Sequence, residues 1–129
     1  MTSDKIVIPL EKYGMKGEVI MAYPGYKKAQ IAEARALNLS VKYVDGEQQI
    51  DLEKGYFAAL EKASVFIEAA PIKIDGYESV LDLLDMAEES CTGAGEDLLE
   101  QILTASKEIA EGRKSPFAKS PGAVTERSG

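Results

Sequence analysis

Two short stretches near the start of the chain alternate apolar positions. Ile6, Ile8 and Leu10 alternate with Lys5, Val7 and Pro9, and Val19, Met21 and Tyr23 alternate with Glu18, Ile20 and Ala22. A period of two is that of half-buried strands, so the pair predicts an N-terminal hairpin. Residues 11–17 between them include Gly14 and Gly17, which can adopt positive φ in an irregular turn. Pro9 has no N–H to give a ladder, so the first strand should end there or lie at a sheet edge.

The period changes after Pro24-Gly25. Tyr26–Asn38 is dominated by Lys, Gln, Ala, Glu, Arg and Leu, which predicts a first helix. Leu39–Val44 and Glu47–Ile50 flank Asp45-Gly46, the signature of a type I′ turn and a second hairpin, although the second arm is short and polar and a loop is the alternative. Asp51 is placed to cap a second helix whose apolar stripe runs Leu52, Tyr56, Leu60, Ala63, Ile67 and Ala70, with Phe57 and Phe66 off the stripe and Pro71 ending it.

Asp75-Gly76-Tyr77-Glu78 has capping-box spacing and opens a third helix through Ser90, with Val80, Leu81, Leu84 and Ala87 inward. Thr92-Gly93-Ala94-Gly95 should terminate it. A fourth helix follows over Glu96–Glu111, with Leu98, Leu99, Ile102, Ser106, Ile109 and Ala110 inward, Lys107 near its end and Gly112 as the C′ residue. The expected fold is α+β: an N-terminal β-hairpin, with the second short hairpin as an option, packed on about four α-helices in a single compact domain over residues 1–112. Residues 113–129 are basic and Ser/Pro/Gly-rich, have no strand or helix period, and are expected to form a flexible tail.

Length and composition fit this layout. A chain of 129 residues suits one domain, and 45% hydrophobic residues with no Trp imply an aliphatic core. Charge is more informative, because it is unevenly placed. Residues 1–112 carry 21 Asp/Glu against 11 Lys/Arg, whereas residues 113–129 carry one Glu against four Lys/Arg. Between Lys73 and Lys107 there are nine carboxylates and no basic residue. A net charge of −7 opposes nucleic-acid binding, which needs Lys/Arg against phosphate. A lone Cys91 excludes an internal disulfide, and no basic and apolar leader opens the chain, so a cytoplasmic location is expected. The longest apolar stretch, Tyr56–Ala70, is broken by Glu61, Lys62 and Glu68, so no membrane span is expected.

Candidate chemistry is sparse. The chain has no His, which removes Ser/His and Cys/His nucleophiles and His-based metal sites. Cys91 has no clustered cysteines and reads as an inert thiol. Gly93-Ala94-Gly95 follows a helix instead of a strand, and Glu96 and Asp97 would repel phosphate. The acidic residues lack the alternating ligands and glycine of a calcium loop, so no metal, cofactor or catalytic residue is assigned. An enzyme working through carboxylates alone is a distant third class, with Glu96 and Glu100 as the residues to change.

The remaining choice for the acids is between a solvated helix face and a docking face. Asp82, Asp85, Glu88 and Glu89 on helix three, with Glu96, Asp97 and Glu100 on helix four, lie in 33 residues without a compensating cation. Such a face would attract and steer a basic partner. Phe117, flanked by Lys114 and Lys119 and by two Ser-Pro pairs, could anchor a linear segment on an acidic surface. That surface could be the chain's own helices three and four, in cis or on a neighbouring copy.

Taken in order, Lys5-Ile6-Val7-Ile8-Pro9-Leu10, Gly17-Glu18-Val19-Ile20-Met21, a Pro-Gly lead-in to an Ala/Glu/Lys helix, an Asp-led Leu/Ala helix, an acidic Leu-rich pair and Arg-Lys-Ser-Pro-Phe resemble a tail assembly chaperone of long-tailed bacteriophages or proviruses. The resemblance covers residues 5–118 and lies in element order, size and acidity. It implies a non-catalytic late protein of the host cytoplasm that binds the long helical tape measure protein, keeps it soluble and helps recruit tail tube subunits. The competing reading is a small acidic adaptor or complex subunit that binds through its hairpin edge or its acidic helical face.

Overall fold

The computed structural model describes residues 5–39, 41–50 and 55–112, with 41–44 and 48–50 as backbone alone. Strands β1 (Ile6–Pro9) and β2 (Glu18–Met21) pair antiparallel with Ile8 opposite Val19 and Pro9 opposite Glu18. Ile8, Val19 and Met21 face the core, as the alternation predicts. The connection folds into a 3-10 turn over Glu11–Tyr13, closed by Gly14 at φ 79° and followed by Gly17 at φ 96°. The Leu10 N–H donates to the Gly17 carbonyl at 3.2 Å, which sets the ladder phase. By alternation, the peptide groups of Val7 and Pro9 point away from β2. Pro9 therefore occupies an edge position whose missing N–H takes no bond from the hairpin.

Helix α1 (Tyr26–Leu39) forms as expected and buries Ala32 and Ala36, small residues on the helix that packs against α2. Strands β3 (Val41–Val44) and β4 (Glu47–Ile50) make the second hairpin, and Asp45 at φ 54° with Gly46 at φ 81° gives both central residues of the turn a left-handed backbone. Asp51 and Leu52 lie outside the described residues, so the expected cap does too.

The second helix departs most from expectation. Helix α2 spans Gly55–Ser64 and stops six residues before Ala70; Ile67–Ala69 instead form β5, which pairs antiparallel with β2. Two local features favour the break. The Ser64 hydroxyl donates to the Glu61 carbonyl at 2.7 Å, and Phe66 N–H donates to Ala63 in a tight turn. Val65, Phe66 and Ile67 are also β-branched or aromatic, poor helix continuers that suit a strand. The long-range gain is a partner for β2: Ala22 N–H donates to the Phe66 carbonyl at 2.7 Å. A bulge between Ile20 and Met21 lets Ile67 face inward beside Met21 while Ala69 stays exposed opposite Ile20. The sheet order is β1-β2-β5, with β1 and β5 at its edges.

Helix α3 (Tyr77–Ser90) lacks the expected Asp75 cap. Its first N–H, on Tyr77, donates 3.0 Å to Oε1 of Glu61, a residue 5% exposed on α2. The Asp75 N–H donates to Ser79 Oγ at 2.6 Å, and that hydroxyl donates to Gly76 O at 2.9 Å. A carboxylate from another helix thus replaces the local box, because burial of Glu61 beside the helix start gives it the orphan amide. Leu83 joins Val80, Leu84 and Ala87 in the core, while Leu81 is half-buried.

Helix α4 (Ala94–Gly112) starts two residues earlier than expected and buries Leu98, Leu99, Ile102, Ala105 and Ile109. Ala105 replaces the expected Ser106, which is half-buried with its hydroxyl returned to the Leu103 carbonyl, and Ala110 is exposed. Gly112 is not a left-handed C′ residue; it continues the helix. The inner face of the sheet, α3, α4 and Leu60 and Ala63 of α2 share one core.

The Glu61 cap yields a direct test. Glu61→Ala should lower stability by roughly 1–3 kcal/mol, the cost of stranding a part-buried N–H. Glu61→Gln, which keeps an acceptor, should lower the thermal midpoint much less.

Candidate partner-binding surface

Helices α3 and α4 are joined by Cys91–Gly93 and pack against one another as a hairpin. Their apolar stripes turn inward, so the helical period directs Asp82, Asp85, Glu88, Glu89, Glu96, Asp97 and Glu100 outward; all seven are exposed. They do not have one role. Contacts separate two of them from the other five.

Glu88 caps α4 from the preceding helix. Its carboxylate accepts from Gly93 N–H at 3.1 and 3.0 Å and from Gly95 N–H at 3.0 Å. A side chain at Gly95 would meet Glu88 Oε1 at 3.1 Å and the Leu84 carbonyl at 3.3 Å, so the absence of a Cβ permits this approach. The two backbone N–H groups, Gly93 first, hold the Glu88 carboxyl below its ordinary range.

Asp97 is engaged by the hairpin turn. Buried Tyr13, 4% exposed, donates its hydroxyl to Asp97 Oδ2 and accepts from Gln101 Nε2 at 2.6 Å. Gln101 Nε2 also lies 3.0 Å from Asp97 Oδ2, and Lys12 Nζ lies 3.1 Å from the same oxygen. The Tyr13 carbonyl accepts from the Ser90 hydroxyl at 2.7 Å. The β1–β2 turn is thereby fastened to both helices. The Tyr13 hydroxyl bond is the leading cause of the lowered Asp97 pKa, with Lys12 next; burial, then Asp97, pushes Tyr13 well above its ordinary value. The proton stays on Tyr13 and the charge on Asp97.

Asp82, Asp85, Glu89, Glu96 and Glu100 form no salt bridge among the described residues. Glu96 sits in the first turn of α4, where the helix dipole favours it. Glu96 and Glu100 flank Leu99 and Leu103 around a shallow depression of about 570 Å³. Leu99 is nearly buried and Leu103 half-buried, so the depression has a small apolar floor with acidic edges. Phe117, Lys114 and Lys119 lie outside the described residues.

Among the described residues no group of three or more Cys, Asp or Glu is arranged to hold a metal ion, and no helix is long and apolar enough to cross a membrane. Cys91 is exposed at the C-cap of α3. Gln101 is the i+4 neighbour of Asp97 on the expected fourth helix, but Tyr13 and Lys12 were not legible as its partners; Tyr13 and Asp97 are 84 positions apart, and no local pattern connects them. No family model matches the chain, and comparison with curated proteins and with solved structures found no match.

The lowered carboxyls fix the sign of an acid dependence. A depressed folded-state pKa contributes stability that is complete above the unfolded-state range and is lost as pH falls below about 4. Glu88→Gln and Asp97→Asn should each lower the thermal midpoint at pH 7, with the deficit against the parent shrinking by pH 3. Equal deficits at both pH values would contradict the assignment.

Proposed function

We propose that this chain is a non-catalytic assembly chaperone that binds a basic surface of a largely helical partner through α3 and α4. The observation that carries the reading is the set Asp82, Asp85, Glu89, Glu96 and Glu100: exposed, without a salt bridge among the described residues, with Glu96 and Glu100 beside the depression at Leu99 and Leu103. Mutual repulsion makes such a row a cost to the free protein, and a cationic partner relieves it. The resemblance to phage tail assembly chaperones supplies the partner: the tape measure protein, held soluble while tail tube subunits are recruited. The setting is the host cytoplasm.

A second reading rests on a different observation. Strand β1 is a sheet edge, and its Val7 peptide points away from β2. An adaptor could add a partner strand there. The four-residue length and Pro9 limit that edge to a short pairing.

Co-expression with a tape measure candidate encoded nearby separates the two. The chaperone reading predicts a soluble complex that weakens with salt and loses roughly tenfold or more in affinity when Asp82, Asp85, Glu89 and Glu100 are neutralised together. Undiminished binding by that variant, with binding lost in Val7→Pro, would support the adaptor instead. A tape measure that stays insoluble would count against the chaperone.

A further inference from the structure

The free edge of β1 does not face open solvent along its whole length. It borders α4, and between them lies a groove of about 290 Å³. Ile6 and Val7 supply its accessible apolar surface, the nearly buried Ile8 and Ala105 lie at its floor, and Glu100 and Glu108 contribute two carboxylates. Val7 is 51% exposed, between the half-buried Ile6 and the buried Ile8. The groove thus offers an apolar wall, two like charges and one outward-facing peptide group.

We propose that residues 114–120 of this same chain bind in this groove, with Phe117 on the apolar wall and Lys114 and Lys119 beside Glu108 and Glu100. Three observations select that occupant. The first is continuity: α4 ends at Gly112, about one helical turn beyond Glu108, and the segment begins two residues later. Phe117 lies five residues past Gly112, a reach of up to about 17 Å in extended chain. Ala105 lies seven residues back along the helix, about 10 Å. A chain that reverses at the end of α4 therefore reaches it.

The second observation is the order of charges. A segment running back along α4 passes Glu108 before Glu100, and Lys114 precedes Lys119. The two carboxylates are eight residues apart on a helix, about 12 Å; the two lysines are five residues apart, up to about 17 Å when extended. The third concerns hydrogen bonds. Phe117–Ser120 is a run of four N–H groups bounded by Pro116 and Pro121. By alternation two of these donors can face β1, whose outward acceptors are the Val7 and Pro9 carbonyls. Glu100 also borders the Leu99–Leu103 depression, so the bound segment would cover part of the acidic face until a stronger cation displaced it. The inference stands on the fold and the sequence, and does not require a tape measure partner.

Paramagnetic broadening in the full-length protein tests it. A nitroxide is attached to Ala123→Cys in a Cys91→Ser background, with the parent spectrum confirming the fold. The amides of Val7, Thr104 and Ala105 should lose roughly half their intensity or more at low salt, while Ala32 and Ala36 on α1 keep theirs. Adding Phe117→Ala, or Glu100→Gln with Glu108→Gln, should restore the lost intensity. Broadening no greater at Val7 and Ala105 than at Ala32 would overturn the proposal. So would equal broadening when the nitroxide is carried only by unlabelled copies mixed with isotope-labelled protein, which would place the segment on a neighbouring molecule.

Discussion

The rest of the structure depends on the burial of one stripe of α4. Leu98, Ile102, Ala105 and Ile109 are nearly inaccessible, and α4 packs against β1, β2, α2 and α3. Among the described elements, none has more of the closer packing partners. Once that stripe is fixed, the helical period leaves little freedom for what lies opposite. Glu96 and Glu100 must face water, and the packing of α3 on α4 places Asp82, Asp85 and Glu89 on the same hairpin. The acidic surface is thus a geometric consequence of how the apolar residues are spaced.

Local polar contacts then set where the hairpin sits. Glu88 closes the α3–α4 turn by accepting backbone N–H groups, and Tyr13 ties the β1–β2 turn to Asp97 and Gln101 while Ser90 holds its carbonyl. Glu61 plays a related part at the other end of α3. Glu88 and Glu61 answer backbone N–H groups that the helix starts leave unpaired, and Asp97 answers the hydroxyl of buried Tyr13. Three acids of an acidic chain are therefore part of the architecture.

Much of the fold was legible because it rests on short-range signals. Alternation identified β1 and β2, the Asp45-Gly46 pair offered the second hairpin with a loop as the alternative, and the spacing of Val80, Leu84 and Ala87 and of Leu98 and Ile102 identified the last two helices. The failure at Ile67–Ala69 has a clear physical origin. Ile67 and Ala70 continue the stripe of Leu60 and Ala63 at helical spacing, so periodicity favoured one long helix, while the pairing of Phe66 with Ala22 depends on a strand more than forty residues earlier. The same limit applies to the site. That seven acids would be exposed could be read from helix faces; that Glu88 and Asp97 are bound to backbone and tyrosine donors could not, since Tyr13 lies in a turn with no pattern of its own.

Separating structural acids from exposed ones gives the account its sharpest claim: Asp82, Asp85, Glu89 and Glu100 are held on the surface without contributing to the fold. Thermal unfolding of the full chain at low and high ionic strength tests this most directly, comparing the parent with a variant carrying Asp82→Asn, Asp85→Asn, Glu89→Gln and Glu100→Gln. Repulsion among exposed charges is screened over about 3 Å at 1 M salt and about 30 Å at 0.01 M. The variant should therefore match or exceed the parent's midpoint at low salt, with any gain closing at high salt. A midpoint well below the parent's at both ionic strengths would show that these carboxylates hold the fold together, contradicting the account.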